Sequence, residues 1–451
     1  SALQEEYKQK GYRQGEKYSW EESARKHLEI YRSALEASTG RPRRFKSFAV
    51  PSTRQANILF LDQSGDKVGG GQVILLDIME KLRASGSWNV FISVPNTGKY
   101  TDILEQRGFD YYCFPSWQPF STEKMTFLEM FRMVLSSIRS TFYLSRKVKE
   151  WGIDLIYCNG GRTFLNGAFL SLLFPMKIFF HLHLILENRQ KPGVTMLGLL
   201  PSVKSIIAVS NTLENQYKGD AVYKKITIVA NWVSPIFFKV PLIKREAKFK
   251  APLRIGVVGQ ISKGKGQWTI LEGFDHSPTV LPLQLFIYGD PLASEQEEWK
   301  EFNDKIEALS EKGWDIRNVG FQLDTVKIYD HIDILIIPSI VPEAFGLTAI
   351  EAMAREVIVI ANKSGALVEI IQDKKNGLLY EAKEYGQLIE LLKRFLENEY
   401  DIESMRDAGI ETVRQLYHPE KQLNKLHDLI RSEAFDAISN AMSLASPVDH
   451  H

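Results

Sequence analysis

Short apolar runs, each closed by a polar or glycine-containing turn, recur along the chain, with helix-periodic stretches between them. Residues 57–61 read as a first strand, residues 66–72 as a glycine-rich turn, and about 72–82 as a helix with one apolar face. Further short strands are expected at 90–94, 154–158, 177–180, 205–210 and 226–229. A polar stretch at 239–250 interrupts this rhythm. It restarts at 253–259 and continues through 283–289, 332–337 and 357–361. Helices between successive strands imply right-handed crossovers and parallel sheets. The pattern therefore predicts an α/β protein with two doubly wound Rossmann-like domains facing across a cleft, with ligands beyond the carboxyl ends of the strands.

Chemistry concentrates at such strand ends. In residues 341–354, Glu343 and Glu351 stand eight positions apart across a turn that should open a helix. A carboxylate before a helix mouth accepts two sugar hydroxyls, while the amides near Phe345, Gly346 and Leu347 and the helix dipole favour a phosphate. Two turns further in, Glu351 is placed to take the vicinal hydroxyls of a ribose. The plainer alternative is an Ala-rich surface helix with solvated acids. Residues 259–266, from Gly259 and Gln260 to Lys263, Lys265 and Gly266, form a cationic turn after a strand, suited to a diphosphate held by Lys265 and backbone amides. Gly69, Gly70 and Gly71 permit close backbone approach, either to a ligand or within a tight turn. His181 and His183 alternate onto one face of a strand. No third ligand at metal spacing accompanies them, so no metal site is expected.

The segment from Asp333 to Ser339, the strand at 357–361, Ser364-Gly365, Glu369-Ile370 and the run from Asn376 to Tyr380 extend the Glu343–Glu351 pair. Together they resemble the donor-binding half of retaining GT-B glycosyltransferases of glycosyltransferase family 4, although one of that family's paired glycines is Ala366 here. The resemblance covers roughly residues 56–431. It implies a GT-B fold with an acceptor domain at 51–238, a nucleotide-sugar donor domain at 239–410 and a closing helix at 411–436. It also implies that Glu343 positions the donor sugar, that His183 contacts it from the opposite wall with His181 in reserve, and that Gly69–Gly71 line the phosphate and acceptor side. Arg162, in the loop after Asn159, is a candidate for an anionic acceptor group, and Glu187 is an unassigned acid nearby. Family members often carry Arg where this chain has Gln260, which leaves Lys265 as the main diphosphate contact. No Asp-x-Asp motif occurs, so neither cofactor nor metal is expected and the nucleotide-diphosphate sugar is a substrate. Front-side displacement at the sugar is what the resemblance implies.

Composition narrows the setting. A formal net charge of +1 over 451 residues gives no case for nucleic-acid binding. Two cysteines, Cys113 and Cys158, are too few for a disulfide framework and fit a reducing cytoplasm. The longest apolar region, 164–180, is broken by Asn166, Pro175 and Lys177 before it reaches the length of a membrane span. Between 120 and 149 a helical stretch carries Phe127, Met130, Phe131, Val134 and Leu135 beside Arg132, Arg139, Arg146, Lys147 and Lys149. A core-packed helix with a solvated basic face is the favoured reading, and a contact with the inner face of a membrane bearing a lipid-linked glycan is the sharper one. Residues 18–31 resemble the closing helix found near 417–430, which suggests that residues 1–50 are the tail of a preceding glycosyltransferase unit; a simple docking helix is the alternative. Residues 437–451 read as a tail ending in a tag remnant. The function expected is sugar transfer from a nucleotide-diphosphate sugar to a glycan, in surface polysaccharide synthesis. A catalytically silent nucleotide-sugar-binding or scaffolding module is the alternative, a GT-B phosphorylase a distant third, and a dinucleotide oxidoreductase is disfavoured by the poor glycine fingerprint.

Overall fold

The computed structural model describes residues 55–116, 127–186, 190–291, 296–381 and 383–444. The expected extension at 1–50, the helix at 18–31, Glu187 and the terminal residues 445–451 lie outside the described residues. Seven strands build the first sheet: β1 (Ala56–Asp62), β2 (Trp88–Val94), β3 (Tyr111–Cys113), β4 (Leu155–Asn159), β5 (Lys177–Leu182), β6 (Val203–Ala208) and β7 (Ile226–Ile228). Their order is β3-β2-β1-β4-β5-β6-β7, parallel throughout. The second sheet holds β8 (Leu253–Val258), β9 (Leu283–Tyr288), β10 (Asp315–Asn318), β11 (Ile334–Ile337), β12 (Ile358–Asn362) and β13 (Leu378–Tyr380). It is also parallel, in the order β10-β9-β8-β11-β12-β13. The two doubly wound domains are thus present.

Helices cover both faces of such sheets, so central strands are apolar on both sides rather than alternating. β4 and β12 are buried along their whole length. At the carboxyl ends Asp62, Asn159, His181 and Asn362 bring in polar side chains, and all four are buried. In each sheet the strand order reverses beside the first strand, between β1 and β4 and between β8 and β11. Those switch points leave crevices at the strand ends.

The polar stretch before β8 does not float between the domains. Arg245 donates to the carbonyls of Tyr329, Ile332 and Arg355 at 2.6, 2.7 and 2.9 Å, pinning the stretch to the second domain. The fully buried Arg355 pairs with Asp330 and donates to the carbonyls of Val240 and Pro241, both at 2.8 Å. An apolar cluster continues from Leu182 and Leu213 of the first domain to Phe345, Ile350 and Leu367 of the second.

The closing segment differs from the expected 411–436. Residues up to Leu416 belong to a helix, Ile402–Leu416, whose Gly409 lies against Met353 of the second domain. The return crossing starts with the helix Pro419–Leu444, whose Leu423, Leu426 and Ile430 enter the first domain's core. Proline is favoured there because the first helical amide has no acceptor to lose.

The helix Phe127–Trp151 also departs from expectation. Its inward face in the middle turns carries Ser137, Ser140 and Thr141, and only Leu144 and Val148 further on join the core. Leu128, Phe131, Leu135, Ile138 and Phe142 face outward, each between 49% and 58% exposed. Small hydroxyl residues let the helix sit close to the domain while their oxygens bond backbone carbonyls, as Thr141 does to Ser137 at 2.7 Å. Core packing therefore accounts for the C-terminal half alone. Among the described residues no helix is long and apolar enough to cross a membrane.

Candidate active site

The second domain's wall grows from β8 and β11. After β8 the chain turns through Gly259, with φ +143°, and a Cβ on Gly289 would lie 2.0 Å from the Gly259 carbonyl oxygen. That close approach sets the backbone of Gly259 and Gln260 at the strand ends. A short turn at Lys263–Lys265 follows, capped by the Ser262 hydroxyl and ended by Gly266, with φ +75°. A Cβ on Gly266 would lie 2.0 Å from the Pro338 carbonyl oxygen, and the amides of Ile340 and Val341 both donate to the Gly264 carbonyl. The two loops are thereby laid on one another. Lys265 Nζ comes 2.7 Å from Glu343 Oε1, and Ser339 donates to the same oxygen. Glu343 is the more buried partner, with 17% of its side chain exposed against 42% for Lys265. Lys263 points elsewhere, toward Glu301 at 4.0 Å, and the Gln260 side chain is exposed.

Behind Glu343 the Ser364–Ala366 loop closes in. Gly365, with φ +57°, has no room for a Cβ, which would lie 2.5 Å from the Glu343 nitrogen, and the Ala366 amide donates to the Glu343 carbonyl at 2.8 Å. Next, Gly346 at φ +117° opens the helix Leu347–Ala354. The amides of Phe345, Gly346 and Leu347 donate to no acceptor among the described residues. They form a positive rim at the helix mouth. The Phe345 ring itself is buried edge-on against Tyr417, so this residue offers its backbone and not its side chain. Further along the helix, Glu351 accepts a hydrogen bond from the Tyr329 hydroxyl at 2.8 Å. Desolvation pushes its carboxyl up to about 7.

Strand register builds the first domain's wall. Asp62 lies opposite Asn159 across β1 and β4, and Asn159 opposite His181 across β4 and β5. His181 is a core residue, bonded to the Tyr157 hydroxyl at 2.8 Å, and burial pushes its pKa well down. His183, two residues on and 3.9 Å from it between ring centroids, emerges at the strand end. Its ring borders Gly71, where a Cβ would come within 3.4 Å of it. Burial holds His183 at about 4, so its ring is neutral at pH 7. The neighbouring Gly70 approaches the other domain: a Cβ there would meet Leu347 at 2.5 Å. Gly70 thus borders the mouth of the helix Leu347–Ala354, and His183 lies beside the adjacent Gly71. Arg162 lies in the turn Gly161–Thr163, where burial lowers its pKa.

Sequence reasoning passed over several of these groups. Asp62, Ser339 and Tyr329 lie in ordinary strand-end, helix or loop text, and only register and loop docking bring them to the site. Glu369 belongs by its position in the sequence to the same block as Glu343 and Glu351, yet its carboxylate reaches the first domain and accepts from the Asn211 and Thr212 amides at 3.0 and 2.5 Å and from both side chains. Of metal-ligand type, the described residues hold Glu272, Asp275 and His276, whose carboxylates already pair with Lys305 and Lys312.

Residues 241–415 match the family of glycosyl transferases group 1. A lipopolysaccharide 1,2-N-acetylglucosaminetransferase of Salmonella typhimurium is 37% identical over 123 residues, which is 26% of this chain and 32% of that enzyme. A D-inositol 3-phosphate glycosyltransferase of Corynebacterium urealyticum is 28% identical over 187 residues, 40% of this chain and 42% of that one. The chain therefore spans a third to two fifths of the length of these relatives. Among solved structures, Anabaena Alr3699/HepE in complex with UDP and glucose superposes with a TM-score of 0.70 at 21% identity, over 84% of this chain and 100% of that one. Sucrose-phosphate synthase from Thermosynechococcus elongatus superposes with a TM-score of 0.65 at 18% identity, over 85% and 100%. The fold is GT-B.

Proposed function

We propose that this chain is a retaining glycosyltransferase that moves a sugar from a nucleotide-diphosphate sugar to a glycan acceptor in surface polysaccharide synthesis. The observation that carries the reading is the Lys265–Glu343 pair, 2.7 Å apart at the mouth of the helix Leu347–Ala354, with Gly70 of the opposite domain against Leu347. A diphosphate entering there meets the Lys265 ammonium and the three amides, and displaces Lys265 from Glu343. Glu343 is then released to accept sugar hydroxyls. Leaving-group charge is offset by these fixed donors rather than by a metal, and their value rises as domain closure excludes water. Glu351 exchanges its Tyr329 partner for the ribose diol, and His183 meets the sugar from the first domain. The acceptor hydroxyl attacks from the side on which the diphosphate departs.

The acceptor is a lipid-linked glycan at an anionic membrane face. The outward apolar stripe of the helix Phe127–Trp151 is flanked by exposed Arg132, Arg139 and Arg146 at seven-residue intervals. That combination suits acyl chains bordered by anionic headgroups. A second copy of the same helix would set arginines against arginines.

The test is a thermal-shift screen against UDP, GDP, dTDP and CMP sugars, beginning with UDP sugars because a relative of this fold was solved with UDP and glucose. It is followed by donor turnover with the stabilising sugar. Glu343→Ala is expected to retain the fold and lose at least about 100-fold in turnover. Full turnover by the folded variant sinks the assignment. Binding of a donor without any turnover by the natural chain would favour the silent-module reading, to which the exposed, uncharged Gln260 lends support.

A further inference from the structure

Asp62 is fully buried and ends β1 as a carboxylate with no cation within ion-pair distance among the described residues. Donors surround it: the Ser64 amide and Gln72 Nε2, each at 2.9 Å, Asn159 Nδ2 at 2.5 Å, and the Gln63 amide. Gln72 in turn accepts from the Gly69 amide at 3.1 Å, so the same carboxylate anchors the glycine turn. On its other side, Asn159 Oδ1 lies 2.6 Å from His183 Nε2. A neutral amide at position 62 would fill this space without the cost of a buried charge.

The charge has a consequence that an amide lacks. A carboxylate only accepts, so Asn159 must turn its NH2 group toward Asp62 and its carbonyl toward His183. The His183 ring must then donate from Nε2. Because the ring is neutral, Nδ1 is left as an acceptor, and it has no partner among the described residues.

We propose that Asp62 and Asn159 are positioning residues that lock His183 in its Nε2–H tautomer, so that Nδ1 accepts a hydroxyl of the bound sugar. This rests on the glycosyltransferase reading for the identity of the hydroxyl, but the tautomer lock itself does not. Hydroxyl recognition by a fixed acceptor discriminates strongly against donor sugars that lack that hydroxyl, since the buried acceptor is then left unpaired.

The experiment is nitrogen NMR of the full chain carrying 15N-labelled histidine at pH 7.5, with the His183 signals assigned by difference from His183→Gln. Asp62, pushed up only to about 6 by burial, is ionised at that pH. The expected spectrum shows a protonated Nε2 and an unprotonated Nδ1 for His183 in the natural protein, and a tautomer mixture in Asp62→Asn. A protonated Nδ1 in the natural protein overturns the proposal without any variant. An unchanged His183 signal in Asp62→Asn, or in Asn159→Ala should the first variant not fold, overturns it as well. In turnover assays Asp62→Asn should lower kcat on the order of tenfold to a hundredfold while the thermal shift given by the free nucleoside diphosphate is unchanged. Should Glu343→Ala remain active while His183 shows the expected tautomer, the functional reading fails and the lock stands.

Discussion

Burial pushes the Glu351 carboxyl up to about 7, with the Tyr329 hydroxyl as its donor, so this residue changes charge near neutral pH. Its folded pKa exceeds the value of 4.5 for an unperturbed glutamate, so the native state holds the proton more tightly than the unfolded chain. Stability from this group is complete below that value and is lost as pH rises through about 7. Glu351→Gln, which keeps an acceptor for Tyr329 and removes the ionisation, should therefore stabilise the ligand-free protein by about 1–3 kcal/mol at pH 8 and by much less at pH 5. Urea unfolding at the two pH values checks this, and an equal difference at both would show that the carboxyl is not desolvated. Glu343, Glu351 and Lys265 are candidates that the sequence alone can offer, because local spacing at a strand end singles them out. Asp62 and Ser339 were not. Each is an ordinary polar residue in the text, and each gains its role from a partner that register or loop docking supplies.

The helix Phe127–Trp151 shows the same division one level up. Its existence follows from residue periodicity, but the side it presents to the domain does not. Ser137, Ser140 and Thr141 lie inward and Phe131, Leu135 and Phe142 outward, because the domain surface here accepts small hydroxyl side chains at close range. Replacing both Phe131 and Leu135 by Glu should leave the fold intact, as both are about half exposed. It should abolish flotation with anionic vesicles at low salt, an outcome expected if the stripe enters lipid. Flotation equal to that of the unaltered protein would remove the membrane reading. Among the edge strands β7 was expected at 226–229, but β3, β10 and β13 were not legible. Each lies at the margin of a sheet with only three or four residues, whereas the central strands, buried on both faces, announce themselves as unbroken runs.

Two domains facing across a cleft need contacts that hold it without filling it. Glu369 supplies one: its carboxylate caps the amino end of the helix Asn211–Asn215, and Ser210 donates to the Ala344 carbonyl at 2.6 Å beside it. The helix Pro419–Leu444 supplies another by returning the chain to the first domain's core. Glu369→Ala removes a charged acceptor from four donors and should lower the unfolding free energy by about 2 kcal/mol, read as a fall in the urea midpoint. An unchanged midpoint would show that the cap bears no load. The alternation of strand, turn and helix, the two parallel sheets and the Glu343–Glu351 spacing were all present in the order of residues, since each depends on neighbours a few positions away. The meeting of Lys265 with Glu343, 78 positions apart, and of Asp62 with Asn159, 97 apart, was not. Strand order and register choose those partners, and both are settled by how helices and sheets bury their apolar faces against one another across the entire chain.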